Sequence, residues 1–135
     1  MYQYQLKNIR VVDGDTIKAD ILLGFGITIR RTIRLSGIDT PEKRTRNLEM
    51  KDFGMRVSEL VEEQIRKHED DVVLHSERDE SGKYGRLLGE VYVANLSLNK
   101  YLLMRKYAIP YGDDKDDHLE NIQILKEGND SLFSG

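Results

Sequence analysis

"TIKADILLGFGITIRRTIRLSGI", residues 16–38, decides the fold. Ile17, Ala19 and Ile21 alternate with polar neighbours, Ile27 and Ile29 do the same, and Ile33 and Leu35 resume the pattern. A period of two marks a strand with one buried face. "LGFG" lies between the halves and is a turn signal, so strands are expected over 16–22 and 27–38. Upstream, "YQLKNIRVV" (4–12) reads as another strand, joined through the turn "DGD" at 13–15. Downstream the period changes. In "DFGMRVSELVEEQIRKH" (52–68), Val57, Leu60, Val61 and Ile65 fall at i, i+3, i+4 and i+8, one apolar stripe on a helix. Strands return at 72–77 and 86–94, where Leu87, Gly89, Val91 and Val93 alternate with Leu88, Glu90 and Tyr92. "ERDESGKYG" between them is a polar hairpin loop, and helices follow at 97–107 and 114–127, the last closed by Gly128.

The resulting order, β-β-β-α-β-β-α-α, is α+β: a five-stranded Greek-key OB-fold β-barrel with about three helices is expected. A sandwich with covered edges is the alternative reading of the same order. A length of 135 residues suits one domain over 1–135 with one core. At 39% apolar and 33% charged residues, the composition still belongs to a globular chain rather than a disordered one. There is no cysteine, which removes disulfides and thiolate metal sites. His68, His75 and His118 are too widely spaced for a zinc site. No apolar run is long enough to span a membrane. The opening "MYQYQLKNIR" lacks the pattern of a signal segment, so a cytoplasmic protein is expected unless a leader was removed.

The net charge of −3 is unevenly spread. Residues 1–68 carry 13 Lys/Arg and 10 Asp/Glu, whereas 69–135 carry 8 and 14. "RRTIR" and "EKRTR" flank the stretch "LSGIDTPEK" (35–43). That stretch has two readings. In the mechanical one, Thr40 caps a helix, Pro41 opens it and Glu42 complements its dipole. In the chemical one, Pro41 fixes the separation of two carboxylates, Asp39 to bind a metal and Glu42 to move a proton.

Other polar residues interrupt the strands. "VVDGDT" places Asp13 and Asp15 about a turn, "TIRLSG" places Arg34 inside a strand, and "GKYGR" places Arg86 at the exit of the hairpin loop. Singly, each is an ordinary turn or surface residue. Together they make an inventory for phosphodiester hydrolysis. Asp15, Asp39 and the Thr40 carbonyl are hard oxygen donors suited to Ca²⁺ or Mg²⁺, with positions left for water and phosphate. Arg34 and Arg86 could each grip phosphate oxygens through two donors, which lysine cannot do. Glu42 could serve as general base.

"DGDT" (13–16), "IRLSGIDTPE" (33–42) and "KYGR" (83–86) resemble, in order and spacing, the signature segments of the staphylococcal-nuclease-like (thermonuclease) family. "DFGMRVSEL" is similar to the start of that family's first helix, and "LLGEVYVANLSLNKYLLMRKYA" to its fifth strand and second helix. The resemblance implies an OB barrel and a Ca²⁺-dependent nuclease, a monomer acting on DNA and RNA, that cleaves the 5′ P–O bond and leaves 3′-phosphate ends. It implies Asp15, Asp39 and Thr40 as calcium ligands, and Arg34, Arg86 and Glu42 as catalytic residues. It implies Lys83 and Tyr84 as contacts to a terminal phosphate, with Tyr111 a candidate second tyrosine at the substrate. Two departures stand out: Gly82 replaces a common acidic residue, and Lys106 replaces the glycine that often precedes the aromatic-Ala pair after the second helix. The rival reading is an OB-fold nucleic-acid-binding module without catalysis.

Overall fold

The computed structural model describes residues 2–76 and 86–133. Its elements run β1 (Tyr2–Asp13), β2 (Thr16–Gly24), β3 (Ile27–Leu35), β4 (Ile38–Asp39), α1 (Leu48–Lys67), β5 (Val72–Ser76), β6 (Leu87–Val93), β7 (Leu96–Ser97), α2 (Leu98–Met104), β8 (Ile109–Pro110) and α3 (Asp117–Glu127). Five long strands lie in the order β3-β2-β1-β5-β6. A parallel pairing of β3 with β6, Ile33 opposite Leu87 through Leu35 opposite Gly89, closes them into a barrel. This is the expected α+β barrel with three helices.

The alternation of period two explains why it closes. Leu6, Ile17, Ala19, Ile21, Ile33, Leu35, Leu74 and Val91 all point inward and are buried. Helix α1 lays Phe53, Val57 and Val61 across the barrel. Each such side chain contributes about 1.5–3 kcal/mol by leaving water. Tyr107 and Arg105, just beyond α2, pin the chain that leaves α3. The Tyr107 hydroxyl donates to Asp130 Oδ2 at 2.5 Å and Arg105 pairs with Asp130 at 3.1 Å. Burial first, and the Asp130 carboxylate second, push the Tyr107 phenol up to about 12.

The structure corrects several expected boundaries. The third strand ends at Leu35, not at 38, because Ser36 and Gly37 form a turn in which Gly37 takes φ +78°, a region that favours glycine. Ile38 and Asp39 then pair with β8 in a separate two-stranded sheet. Helix α1 starts at Leu48 rather than 52, capped by the Asn47 side chain accepting from Met50 N–H at 3.0 Å. Thr40 therefore caps no helix and Pro41 opens none; the mechanical reading of "DTPE" fails. α2 ends at Met104 rather than 107, and Lys106 takes a left-handed exit at φ +66°, the position where the resemblance leads one to expect a glycine. α3 starts at Asp117 rather than 114, and the left-handed residue past its end is Asn129, while Gly128 stays at φ −83°. The hairpin loop "ERDESGKYG" (77–85), with Gly82, Lys83 and Tyr84, lies outside the described residues.

Candidate nuclease site

The register of two strand pairs builds the site. β2 and β3 set Thr16 opposite Arg34, and the "DGD" turn sets Asp15 immediately before Thr16. Asp15 then fastens three segments. Its carbonyl accepts from Leu35 N–H at 2.8 Å, its Oδ2 accepts from Thr40 N–H at 2.9 Å, and its Oδ1 accepts from the Thr16 hydroxyl at 2.9 Å. Asp39 arrives on β4, which pairs with Ile109 of β8. Both carboxylates are buried, at 8% and 7% exposure. A buried carboxylate needs a cation or donors, and Arg34 supplies both. Its Nη2 lies 2.6 Å from Asp39 Oδ1 and 3.5 Å from Asp15 Oδ2, and its Nη1 donates to the Leu35 carbonyl at 2.8 Å.

The same β4–β8 pairing draws in the segment after β8, where Tyr111 N–H donates to the Gly37 carbonyl at 3.0 Å. The Arg34 guanidinium carbon sits 5.8 Å from the centre of the Tyr111 ring. Arg34, Arg86, Leu88, Ile38 and Tyr111 line one cavity of about 780 Å³. Strand β6 holds Arg86 there, because Leu87 is paired to Ile33 of β3. Lys115 Nζ approaches Asp39 Oδ1 to 3.5 Å. The Asp13 carboxyl is held above the ordinary range by burial and then by Asp15, against Lys43 and Arg44. Those contacts place the basic stretch "KRTR" beside the "DGD" turn.

The structure thus gathers Asp15, Arg34, Asp39, Thr40, Arg86 and Tyr111 from distant parts of the chain. Glu42 stands apart: it is exposed and forms no hydrogen bond or ion pair with a described residue. Its backbone is nevertheless fixed. Helix α1 passes so close at Gly54 that an added Cβ would stand 2.6 Å from the Pro41 carbonyl oxygen and 3.1 Å from Glu42. Pro41 itself is buried. Lys83 and Tyr84 lie outside the described residues.

The two buried carboxylates, with Thr40 tied to Asp15 through its N–H, are hard oxygen donors of the kind a hard cation takes, with coordination positions left open. A closed cage is not built: no group of three or more His, Cys, Asp or Glu able to hold a metal occurs among the described residues.

Sequence reasoning missed three residues. Asn99 is buried, donates to the Ser36 and Gly89 carbonyls at 2.9 and 3.2 Å, and accepts from Val91 N–H at 3.1 Å. It fastens the cavity floor to β6, and its only signal was an amide in the apolar run "LNKYLL". Lys115 was legible only as one cation inside "DDKDD".

His118 is fully buried, and neither ring nitrogen is hydrogen-bonded to a described residue. Burial, then Lys115, lower its pKa from the ordinary value to about 4, against Asp39 and Asp15, which raise it. The folded chain therefore refuses a proton that the unfolded chain accepts below ~6.5. The expected consequence is that His118 costs the fold nothing above that pH and destabilises it progressively as pH drops toward about 4, by about 3 kcal/mol in all. His118→Leu is expected to flatten that loss. It should also unfold no more easily at pH 7, since it buries no unpaired nitrogen. Denaturant unfolding at pH 7 and pH 5 checks this; an equal loss in both proteins assigns the pH dependence elsewhere.

Comparison with known proteins agrees with this geometry. A family model described as staphylococcal nuclease homologue matches residues 32–129. The chain is 27% identical to an uncharacterized protein of Methanocaldococcus jannaschii over 97% of its own length and 72% of that protein. It is 30% identical to a thermonuclease of Staphylococcus hyicus over 71% of its own length, spanning 53% of that enzyme. With the closed barrel, the paired carboxylates at Arg34 and a family match over most of its length, the chain belongs to the staphylococcal nuclease family.

Proposed function

We propose that this chain is a Ca²⁺-dependent nuclease, one domain over 1–135, working as a monomer. It hydrolyses DNA and RNA at the 5′ P–O bond and leaves 3′-phosphate ends. The observation that carries the reading is Arg34, held between buried Asp15 and Asp39 at the edge of a cavity that Arg86 and Tyr111 also line. Asp15, Asp39 and the Thr40 carbonyl would hold the ion, which supplies Lewis-acid polarisation of a phosphoryl oxygen when bound.

The chain's own residues supply the rest. Arg34 spends only part of its five-donor fork on Asp39 and Leu35, so it retains N–H groups for a phosphate. Arg86 offers a second fork from the cavity wall, and together they balance charge that builds on phosphorus. Glu42 takes a proton from water as the water oxygen bonds to phosphorus; the P–O5′ bond breaks with its electron pair going to the 5′-oxygen, which takes a proton from solvent water and leaves as an alcohol. Tyr111, 71% exposed, offers a face for a base or sugar. Lys83 and Tyr84 would meet a terminal phosphate.

The test is cleavage of single-stranded DNA and of RNA with Ca²⁺ and with excess chelator. Cleavage with Ca²⁺ that stops on chelation, with 3′-phosphate product ends, is expected. Binding of both nucleic acids with no cleavage under any divalent ion leaves a binding module instead.

A further inference from the structure

We propose that Lys115 is a built-in counter-ion of Asp39 which a divalent cation must displace, so that it sets how tightly this site loads. The inference rests on the cation-binding reading above. Asp39 Oδ1 carries two cations at once, Arg34 Nη2 at 2.6 Å and Lys115 Nζ at 3.5 Å. Asp15 and Asp39 bring two negative charges, and Arg34 and Lys115 bring two positive ones. The cluster is neutral as it stands. A divalent ion on the same oxygens would leave it with two excess positive charges in a poorly hydrated place, where like charges repel strongly. One of the resident cations has to go.

The ties on each decide which. Arg34 is 11% exposed and holds Asp39, Asp15 and the Leu35 carbonyl, with Tyr111 against its plane. Lys115 is 55% exposed and, among the described residues, pairs with Asp39 alone, at a longer distance. Lys115 is the cation that leaves. It has somewhere to go, because Asp113, Asp114, Asp116 and Asp117 flank it. These carboxylates are short of cations: after burial, Asp114, Asp113, Glu120 and Asp116 hold the Asp117 carboxyl above its ordinary value. The acidic loop is the ammonium's second berth.

A plain surface ion pair would contribute little and leave metal affinity untouched. The other end of this pair is a buried ligand oxygen, so removing Lys115 removes a competitor at the ion's own site. The exposed end keeps the effect well below the interior Coulomb limit.

The experiment is calorimetric titration of Ca²⁺ into wild type, Lys115→Met and Lys115→Arg, without nucleic acid, with thermal unfolding as a check on folding. Lys115→Met is expected to bind Ca²⁺ about tenfold more tightly, and Lys115→Arg within about twofold of wild type. Lys115→Gln repeats the test should Met perturb the loop. Ca²⁺ binding of equal or lower affinity in the Met and Gln variants overturns the counter-ion role alone and leaves the nuclease reading intact. Absence of any divalent binding in all four proteins overturns both.

Discussion

An Arg34→Leu protein is expected to lose about 3 kcal/mol of folding stability in chelator, the low end of the range for breaking a buried ion pair. The reason is the state of the two carboxylates left behind. Asp15 keeps the Thr40 N–H and the Thr16 hydroxyl, and Asp39 keeps Lys115. Neither is then wholly unpartnered, which places the loss at the lower end rather than near 5 kcal/mol. Both nevertheless remain buried beside one another with half their positive charge gone. Millimolar Ca²⁺ should return more stability to Arg34→Leu than to wild type, because an ion that binds only the folded state stabilises it by mass action. Denaturant unfolding in chelator and in Ca²⁺ measures both quantities. A loss under about 1 kcal/mol in chelator would mean the carboxylates are solvated well enough without Arg34. Arg34→Lys separates structure from chemistry: it should restore most of the stability, while turnover stays about a hundredfold or more down, because a point charge cannot replace a planar fork.

Much of this architecture was legible in the residues themselves. Ile17, Ala19, Ile21, Ile33 and Leu35 all proved buried, because a strand in a small barrel has one wet face and one dry one. The misplaced boundaries have separate causes. Leu48, at the true start of α1, is 79% exposed, and the buried stripe enters the first turn only through Met50, between charged Glu49 and Lys51, so periodicity marked that turn weakly. The break at Ser36–Gly37 did leave a local trace, since Ser-Gly is a turn dipeptide and Ile38 falls out of phase with Ile33 and Leu35. Short pairings such as β4 with β8 join residues about seventy apart, and no local signal reports them.

The site divides in the same way. Its residue types were readable, since hard oxygens and arginines in three separated patches fit one chemistry. Their arrangement was not. That Arg34 bridges Asp15 and Asp39 follows from the register of β2 on β3, and that Lys115 reaches Asp39 follows from β8. His118 gave no sign of its burial, because "DDHLEN" reads as a solvated helix start until α3 is packed against the rest.

Glu42→Gln is expected to behave in the opposite manner to Arg34→Leu: the fold is untouched and turnover falls by about 10²–10⁴, the range supplied by a positioned general base. Glu42 is exposed and has no hydrogen-bonded or ionic partner among the described residues, so its charge holds nothing together. What is held is its backbone, by buried Pro41 and by α1 at Gly54. A side chain without a partner among the described residues that springs from a fixed backbone is free to act on something outside the chain. The amide of glutamine keeps the size and cannot take a proton from water. Single-turnover cleavage, Ca²⁺ titration and thermal unfolding on the same preparation isolate the effect: unchanged melting and unchanged Ca²⁺ affinity with slow cleavage assign the proton transfer to Glu42. Near-normal cleavage removes Glu42 from the mechanism, and the base must then be sought among other groups near Arg34. A fall in melting temperature alongside slow cleavage would instead make Glu42 part of the scaffold, and its exposed position, without a partner among the described residues, argues against that outcome.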